Sequence, residues 1–424
     1  MIPGSSAGPE ADRPVRAGPP VAGRAGASVG GRAGGPLGGY AVLDLGQRLT
    51  AYGSKLLADF GARVTKIEPP GGDEMRRMEP RRGPGRRSLA FAYYHANKRS
   101  ARLDIGHPAA DGVLRRLAAD ADVIMISPRP GAPLTGLNGE TLRLSWAPAR
   151  AIVLSITPFG LTGPARDWRM TPMTSYAMSG LMYRMGRAEG PPVTVPGQQA
   201  WDQAGVHGVV AALAALRARE SAGGQLIDIA VHECLSAQDD VILRYSATSQ
   251  VMGRSRLAGY PPTGTWECRD GQIEFQVHTG RHWAGFVDML GHPAELSDPA
   301  LGGRIARSER ASELREVIGT LLAARSRHVL LQRGQELGVP CGLLNSPAQF
   351  AGDPQMTARG FYVSRPDGQL GQVRMPAPPF RSSPPLTSVT RPAPELGEHD
   401  DEVYVAELGY TKRDLADWRE TGLA

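Results

Sequence analysis

The sequence predicts an α/β protein in which a large domain with a parallel, helix-covered sheet is joined to a smaller α+β domain. Two observations lead to this fold class. Short apolar runs alternate with helical patterns between residues 40 and 235, in units of roughly 30 residues, which is typical of parallel strands joined by crossover helices. After residue 235 the alternation ends, and a Gly-, Pro- and Arg-rich stretch is followed by a hairpin pattern.

The elements of the large domain follow in chain order. The apolar run 40–45 predicts a strand, residues 54–60 predict a helix that ends at Gly61, and residues 62–68 alternate like a second strand. The remaining strands are expected at 103–105, 123–126, 152–156 and 226–231. The remaining helices are expected at 109–119, ahead of Ala151, and at 204–219, where valines and leucines recur at helical spacing.

The smaller domain begins with a predicted hairpin over residues 264–275 that turns at Asp270 and Gly271. Helices are expected at 283–290, 311–323 and 324–337. Residues 368–394 are Pro-rich and predicted to be extended, and residues 411–421 predict a final helix. The pattern indicates a smaller domain inserted before a segment that returns to the large one.

The predicted domain boundaries follow from these changes in composition. Residues 1–39 are dominated by Gly, Pro and Ala and are expected to form a disordered tail, because they offer almost no apolar surface to bury. The large domain is assigned to residues 40–235, a linker to 236–255 and the smaller domain to 256–362. Residues 363–424 are assigned to a returning tail that packs on the large domain.

Composition excludes several classes of function. The 48 basic and 42 acidic residues leave a net charge of only +6 on 424 residues, which is too dilute for a nucleic-acid-binding protein. No apolar window is long enough for a membrane span, and the first residues lack a signal-peptide pattern. Cys234, Cys268 and Cys341 are odd in number and widely spaced, which favours a reducing cytoplasm. No metal site is expected, since His278 and His282 flank Gly280 in a predicted loop.

A series of short motifs resembles one known family. They lie, in order and at ordinary spacing, at residues 42–45, 56–62, 66–73, 97–100, 129–131, 158–164, 177–180, 339–342, 353–354, 359–361 and 396–399. Together they resemble the family III CoA-transferases, the CaiB/BaiF group that includes formyl-CoA transferase, carnitine CoA-transferase and α-methylacyl-CoA racemase. The resemblance runs from about residue 40 to residue 424.

The resemblance implies a Rossmann-like large domain, a small domain and an interlocked dimer. It also implies that an acyl-CoA and a carboxylic acid are the substrates, with no cofactor beyond the CoA ester itself. CoA carries a 3′-phosphate and a diphosphate, so its binding site needs fixed donors and positive charge. By position in the matching motifs, we expect Asn97, Lys98, Arg99 and Arg129 to bind CoA.

The nucleophile in such transferases is an aspartate, because both covalent intermediates, a mixed anhydride and an enzyme-bound CoA thioester, must remain reactive enough to transfer the acyl group and CoA. The resemblance places this aspartate eight residues before Gly180, where the sequence has Pro172, which cannot be acylated. The nearest substitutes are Asp167 and Asp202. Each has a structural alternative: Asp167 as a loop or cap residue, and Asp202 as a cap on the following helix.

Two functional hypotheses follow. The first is a cytoplasmic CoA-transferase that moves CoA between an acyl-CoA and a carboxylic acid. The second is a catalytically silent relative that binds acyl-CoA or serves as the structural subunit of a heterodimer with an active paralogue. A homodimer is expected in the first case.

Overall fold

The computed structural model describes residues 35–83, 85–128, 137–138, 143–144, 146–186, 189–238, 241–251, 253–254, 259–383 and 385–424. Residues 1–34 of the predicted tail lie outside these ranges. Residues 35–39, assigned to the same tail from composition, instead pack on the large domain. The N–H of Leu37 donates to the carbonyl oxygen of Phe60 at 3.0 Å, and the Leu37 side chain is buried in the core.

The large domain is built from six parallel strands and the helices that connect them. The strands are β1 (Ala41–Asp44), β2 (Arg63–Glu68), β3 (Arg99–Arg102), β4 (Val123–Ile126), β5 (Ile152–Thr157) and β6 (Leu226–Ala230). The helices are α1 (Arg48–Asp59), α2 (Leu89–Tyr94), α3 (Ala110–Ala118), α4 (Pro172–Met178), α5 (Gln199–Ala222), α6 (Val231–Ser236) and α7 (Val241–Thr248).

The strand order is β6-β5-β4-β1-β2-β3, with every neighbouring pair parallel. In the centre, Val42 pairs with Val64 on one side and with Val123 on the other. From β1 the next two strands, β2 and β3, add on one side and the later strands β4, β5 and β6 add on the other. The gap between β1 and β4 is therefore the switch point of a Rossmann-type sheet, and ligands of such sheets bind at the carboxyl ends of the strands there. The prediction of an α/β fold with a Rossmann-like large domain is confirmed.

Four features of residues 40–255 differ from expectation. The strand expected at 103–105 lies at Arg99–Arg102, where both arginines pair with carboxylates from the end of the chain; Arg99 is buried and Arg102 is half-buried despite its charge. Helix α1 starts at Arg48, ahead of the expected residue 54. No helix precedes Ala151 within the described residues 146–150, which form turns. The expected linker at 236–255 contains α7.

The smaller domain contains a three-stranded antiparallel sheet covered by helices. Its strands are β7 (Gly264–Cys268), β8 (Gly271–Phe275) and β9 (Cys341–Leu343), and β7 and β8 form the predicted hairpin. Its helices are α8 (Gly280–Met289), α9 (Arg304–Glu309), α10 (Ala311–Ala323), α11 (Arg327–Leu337), α12 (Pro347–Ala351) and α13 (Pro354–Ala358). His278 lies before α8 and His282 lies inside it, so the loop expected over both residues ends early.

The chain then returns to the large domain. Strands β10 (Tyr362–Asp367) and β11 (Gly371–Pro376) form a hairpin, and a π-helical segment at Asp401–Glu407 precedes α14 (Lys412–Thr421). Val403, Tyr404 and Leu415 pack in one apolar cluster with Leu43 and Ile124 of the sheet. One face of the large sheet is therefore covered by the last residues of the sequence.

No helix in the described ranges combines the length and the apolar character that crossing a lipid bilayer requires.

Candidate active site

The carboxyl end of β1, at the switch point of the sheet, carries a fully buried carboxylate. Asp44 accepts hydrogen bonds from the hydroxyl groups of Thr50 at 2.7 Å and Ser54 at 2.6 Å. Both hydroxyls belong to α1, so the strand and the helix that follows it are tied together at this point. These bonds also explain why α1 begins before its apolar pattern does.

Two buried lysines compensate the acids at this end of the sheet. Lys66 on β2 lies 3.1 Å from a carboxylate oxygen of Asp73, and Lys98 lies 3.5 Å from Asp44. Burial alone would raise the pKa of Asp44, but the charges of Lys66 and Lys98 outweigh it and hold that pKa below its usual value. Burial lowers the pKa of Lys98 to about 8. The switch point is thus filled by a paired charge network.

Helices α1 and α5 cross in close contact beside this network. A side chain on Gly205 would come within 2.9 Å of the backbone nitrogen of Gly53, so both positions need glycine for the helices to approach this closely. The crossing brings Tyr52, next to Gly53, towards Asp202 in the first turn of α5. The position of Asp202 therefore depends on a contact between segments about 150 residues apart in the sequence.

Asp202 lies in a cluster of aromatic side chains. The hydroxyl of Tyr94, at the end of α2, donates to Oδ2 of Asp202 at 3.0 Å. The Tyr94 ring packs edge-on against Tyr52 and Tyr93, with ring centroids 6.1 and 5.0 Å away. Tyr176 of α4 is buried close enough for the charge of Asp202 to act on it. We call Asp202, Tyr52, Tyr93, Tyr94 and Tyr176 the tyrosine cluster.

The environment changes the acidity of both partners in this cluster. Burial raises the pKa of Asp202 to about 6, and the hydrogen bond from Tyr94 partly opposes that rise. Burial and then the charge of Asp202 raise the pKa of Tyr94 well above its usual value, so its hydroxyl stays protonated as a donor. A carboxylate with these properties can accept an acyl group near neutral pH while a phenol holds its orientation.

The other two positions considered for the nucleophile, Pro172 and Asp167, offer no sheltered carboxylate. Pro172 is the first residue of α4, where proline fits well, and the helix is capped by a reciprocal pair of bonds between Thr171 and Thr174. Tyr176, one turn further along α4, joins Pro172's helix to the tyrosine cluster. Asp167 is exposed and lies 3.3 Å from Arg166. Of the three, only Asp202 presents a carboxylate within a sheltered group of side chains.

The residues expected to bind CoA are engaged inside the fold, and Arg129 lies outside the described residues. Lys98 has no exposed surface in its side chain and donates to Ser54 and to the carbonyl oxygen of Ala51. Arg99 is buried against Glu402 and Glu407. Both cations are paired with carboxylates of this chain and have buried side chains, so neither presents accessible charge to a phosphate at these two positions.

Asn97 fastens the returning segment to α1. Its Oδ1 accepts the N–H groups of Thr390 and Arg391, and its Nδ2 donates to Asp59 at 2.7 Å and to the carbonyl oxygen of Ser388. Its backbone has a φ of 68°, a left-handed conformation that Asn tolerates better than most residues. These contacts account for Asn97 without a ligand.

We therefore predict that Asn97→Ala destabilises the protein by about 2–4 kcal/mol in urea unfolding, because several hydrogen bonds are lost together. The amides of residues 390 and 391 should exchange faster with solvent. Asn97→Gly keeps the left-handed backbone and should cost less than Asn97→Ala. A fall in CoA affinity at unchanged stability would instead support the ligand role expected from the sequence.

Sequence reasoning missed the tyrosines around Asp202. The consecutive pair Tyr93–Tyr94 was the available signal, but α2 is too short to be recognised by periodicity and Tyr52 is distant in sequence. In the described ranges, no group of three or more His, Cys, Asp or Glu side chains is arranged to hold a metal ion.

Comparison with known proteins agrees with this architecture. The sequence matches the model of CoA-transferase family III over residues 37–400. It is 30% identical over 387 residues to succinyl-CoA–D-citramalate CoA-transferase of Chloroflexus aurantiacus, covering 88% of this chain and 94% of that protein. It is 33% identical over 390 residues to succinate–glutarate CoA-transferase of Agrobacterium fabrum, covering 88% and 95%.

A solved structure gives the same result. The crystal structure of a CAIB/BAIF family protein from Brucella suis matches with a TM-score of 0.78 and 27% identity, covering 88% of this chain and 99% of that one. The family match spans most of the described chain, including the switch point and Asp202. The chain belongs to CoA-transferase family III.

Proposed function

We propose that this protein transfers CoA from an acyl-CoA to a carboxylic acid, with Asp202 as the carboxylate that forms the covalent intermediates. The observation that carries the proposal is the sheltered carboxylate of Asp202 in the tyrosine cluster. Membership of the family supports the reaction class. Two relatives are named as CoA-transferases that use succinyl-CoA, one with D-citramalate and one with (R)-benzylsuccinate.

The first half of the reaction loads CoA onto the enzyme. A carboxylate oxygen of Asp202 attacks the thioester carbonyl of the acyl-CoA, the C–S bond breaks and CoA leaves as a thiolate, giving a mixed anhydride. The thiolate then attacks the aspartyl carbonyl of the anhydride. This step releases the donor acid as its carboxylate and leaves CoA as a thioester on Asp202.

The second half delivers CoA to the acceptor. The acceptor carboxylate attacks the Asp202 thioester, the C–S bond breaks and a second mixed anhydride forms. The CoA thiolate attacks the acceptor carbonyl, which produces the new acyl-CoA and regenerates the Asp202 carboxylate. No net proton transfer is needed, so the site requires a reactive carboxylate and orientation but no separate base.

Tyr94 has a positioning role in this scheme. Its hydroxyl donates to Oδ2 of Asp202, whereas none of the described residues donates to Oδ1. The second oxygen is therefore the one available for attack. The neighbouring rings of Tyr52 and Tyr93 hold the Tyr94 side chain in place.

The test is mass spectrometry of the purified protein after incubation with succinyl-CoA, combined with an assay of CoA exchange into an added dicarboxylic acid. We expect an enzyme-bound CoA thioester on the peptide that contains Asp202. Absence of both the adduct and the exchange, over a range of donors, would contradict the proposal.

The role of position 172 can be separated in the same assay. We expect Pro172→Asp to leave the wild-type rate unimproved and to fail to restore activity to an Asp202→Asn variant. Restoration in that double variant would show that the nucleophile position implied by the resemblance is functional here.

The pH profile provides a further prediction. Because attack requires the carboxylate form and the pKa of Asp202 is about 6, we expect kcat/KM to rise about tenfold per pH unit below pH 6 and to level off above pH 7. Tyr94→Phe removes the hydrogen bond that lowers this pKa, so the inflection should move to higher pH. Tyr410→Phe, next to Trp418, serves as a control that leaves the profile unchanged.

We also propose that the active form is a dimer. Exposed apolar side chains lie on α4, α5 and α7, among them Met173 at 58%, Val210 at 64% and Leu243 at 71% exposure. Apolar surface of this kind marks interaction sites in proteins. Relatives include both an alpha and a beta subunit of succinyl-CoA–L-malate CoA-transferase from Chloroflexus aurantiacus.

Light scattering after size-exclusion chromatography distinguishes the forms. We expect a homodimer that exchanges CoA unaided, since the chain carries its own candidate nucleophile. A pure homodimer without exchange that gains activity only with a paralogue would favour the silent-subunit alternative.

A further inference from the structure

A cavity of about 240 Å³ lies beside the β10–β11 hairpin, lined by residues within 359–365 and 377–389. Its lining includes three arginines, Arg359, Arg365 and Arg381, together with Phe361 and Phe380. No Asp or Glu is among the lining residues in the described part of the chain. The cavity is thus basic and partly aromatic.

The walls of this cavity are fixed by contacts to the rest of the fold. The Phe380 ring stacks on Phe60 of the large domain, with centroids 5.7 Å apart. The N–H of Ser388 donates to the carbonyl oxygen of Asp59, and the N–H of Ala377 donates to the carbonyl oxygen of Phe361. These contacts hold the walls of the cavity in place against the end of α1.

Arg359, Arg365 and Arg381 have no acidic partner among the described residues. Other arginines that contact the end of the chain are paired with carboxylates. Arg99 and Arg102, for example, are each paired with carboxylates at 2.6–2.7 Å. Gly360 has a φ of 57°, and a side chain added there would contact the guanidinium of Arg381 at 3.5 Å. Three uncompensated guanidinium groups around one cavity favour a ligand with more than one negative charge.

We propose that this cavity binds a small organic dianion whose charged groups contact Arg359, Arg365 and Arg381 and whose apolar part packs on Phe361 and Phe380. Both a dicarboxylic acid and a phosphate monoester have this chemistry. The cavity is smaller than the usual range of sites for drug-sized ligands, which limits the ligand to a compact molecule. The site is independent of Asp202 and of the proposed transfer reaction.

Isothermal titration calorimetry with two matched probes, phthalate and phenyl phosphate, tests the proposal and distinguishes the two sources. Benzoate serves as the monoanionic comparison. We expect one or both dianions to bind more tightly than benzoate, and Arg365→Gln and Arg381→Gln each to weaken that binding about 10- to 100-fold. Both arginines are exposed, so the variants should remain folded.

Arg374→Gln is the matched control, because Arg374 lies on the same hairpin but stacks on Tyr362 and donates to the carbonyl oxygen of Ala351. It should leave the affinity unchanged. Binding should also persist in Asp202→Asn, which separates this cavity from the active site. Equal affinity in wild type and Arg381→Gln, or benzoate binding as tightly as both dianions, would overturn the proposal.

Discussion

Asp202→Asn is expected to lower kcat for CoA exchange at least about 1,000-fold and to abolish the enzyme-bound CoA thioester, because an amide cannot form the anhydride. The substitution keeps an oxygen that can accept the hydrogen bond from Tyr94, so the cluster geometry should be retained. The measurement is steady-state exchange together with intact-protein mass spectrometry.

Stability provides the control for this variant. The folded protein raises the pKa of Asp202 above its unfolded value, so the ionised side chain destabilises the fold at neutral pH, and this cost grows as pH rises through about 6. Asp202→Asn should therefore unfold at the same or a higher temperature than wild type at pH 7. Asp167→Asn, at an exposed position, should keep near-normal activity. Retained exchange in Asp202→Asn would exclude this residue as the nucleophile.

The largest expected effect on stability comes from Lys66→Met. The Lys66 side chain is 1% exposed, lies 3.1 Å from Asp73 and also donates to the carbonyl oxygen of Gly46. Its removal leaves Asp73 without its partner and leaves Asp44 with Lys98 as its remaining cation. Breaking a buried pair in this way costs about 3–5 kcal/mol, which urea unfolding would detect.

The pH dependence of this loss tests its electrostatic origin. The pKa of Asp44 is lowered in the folded state, so the stability it contributes is present above its unfolded pKa, near 4, and disappears as pH falls below that value. The gap between wild type and Lys66→Met should therefore narrow on acidification. Arg333→Gln breaks an exposed pair with Glu336 and should change stability by less than about 1 kcal/mol. A gap that is constant with pH would point to lost packing instead.

Sequence alone predicted the sheet because its central strands are buried on both faces. Val123–Ile126 is continuously apolar, and Ile152–Thr157 is apolar at four of its six positions and buried along its whole length. The position of strand Arg99–Arg102 was not predicted, because its arginines pair with carboxylates more than 290 positions later in the sequence. No local sequence pattern indicates that pairing.

The same long-range dependence explains the site. The motif at residues 97–100 was interpreted as CoA-binding because free positive charge suits phosphates, yet the fold neutralises Lys98 and Arg99 with Asp44 and Glu407. Asp202 was only a secondary candidate, since its sheltered position arises where α1, α2 and α5 meet. Local sequence can propose a carboxylate, but tertiary packing decides which one is sheltered and oriented.

The covering of one sheet face by the end of the chain has a consequence for biosynthesis. The hydroxyl of Tyr404 donates to the carbonyl oxygen of Arg102, across a separation of 302 residues. At bacterial or eukaryotic elongation rates this interval corresponds to roughly 15 to 60 seconds of translation. During that time the nascent polypeptide has an uncovered apolar sheet face while the smaller domain can already fold, so we expect ribosome-associated chaperones to hold the early half until synthesis ends.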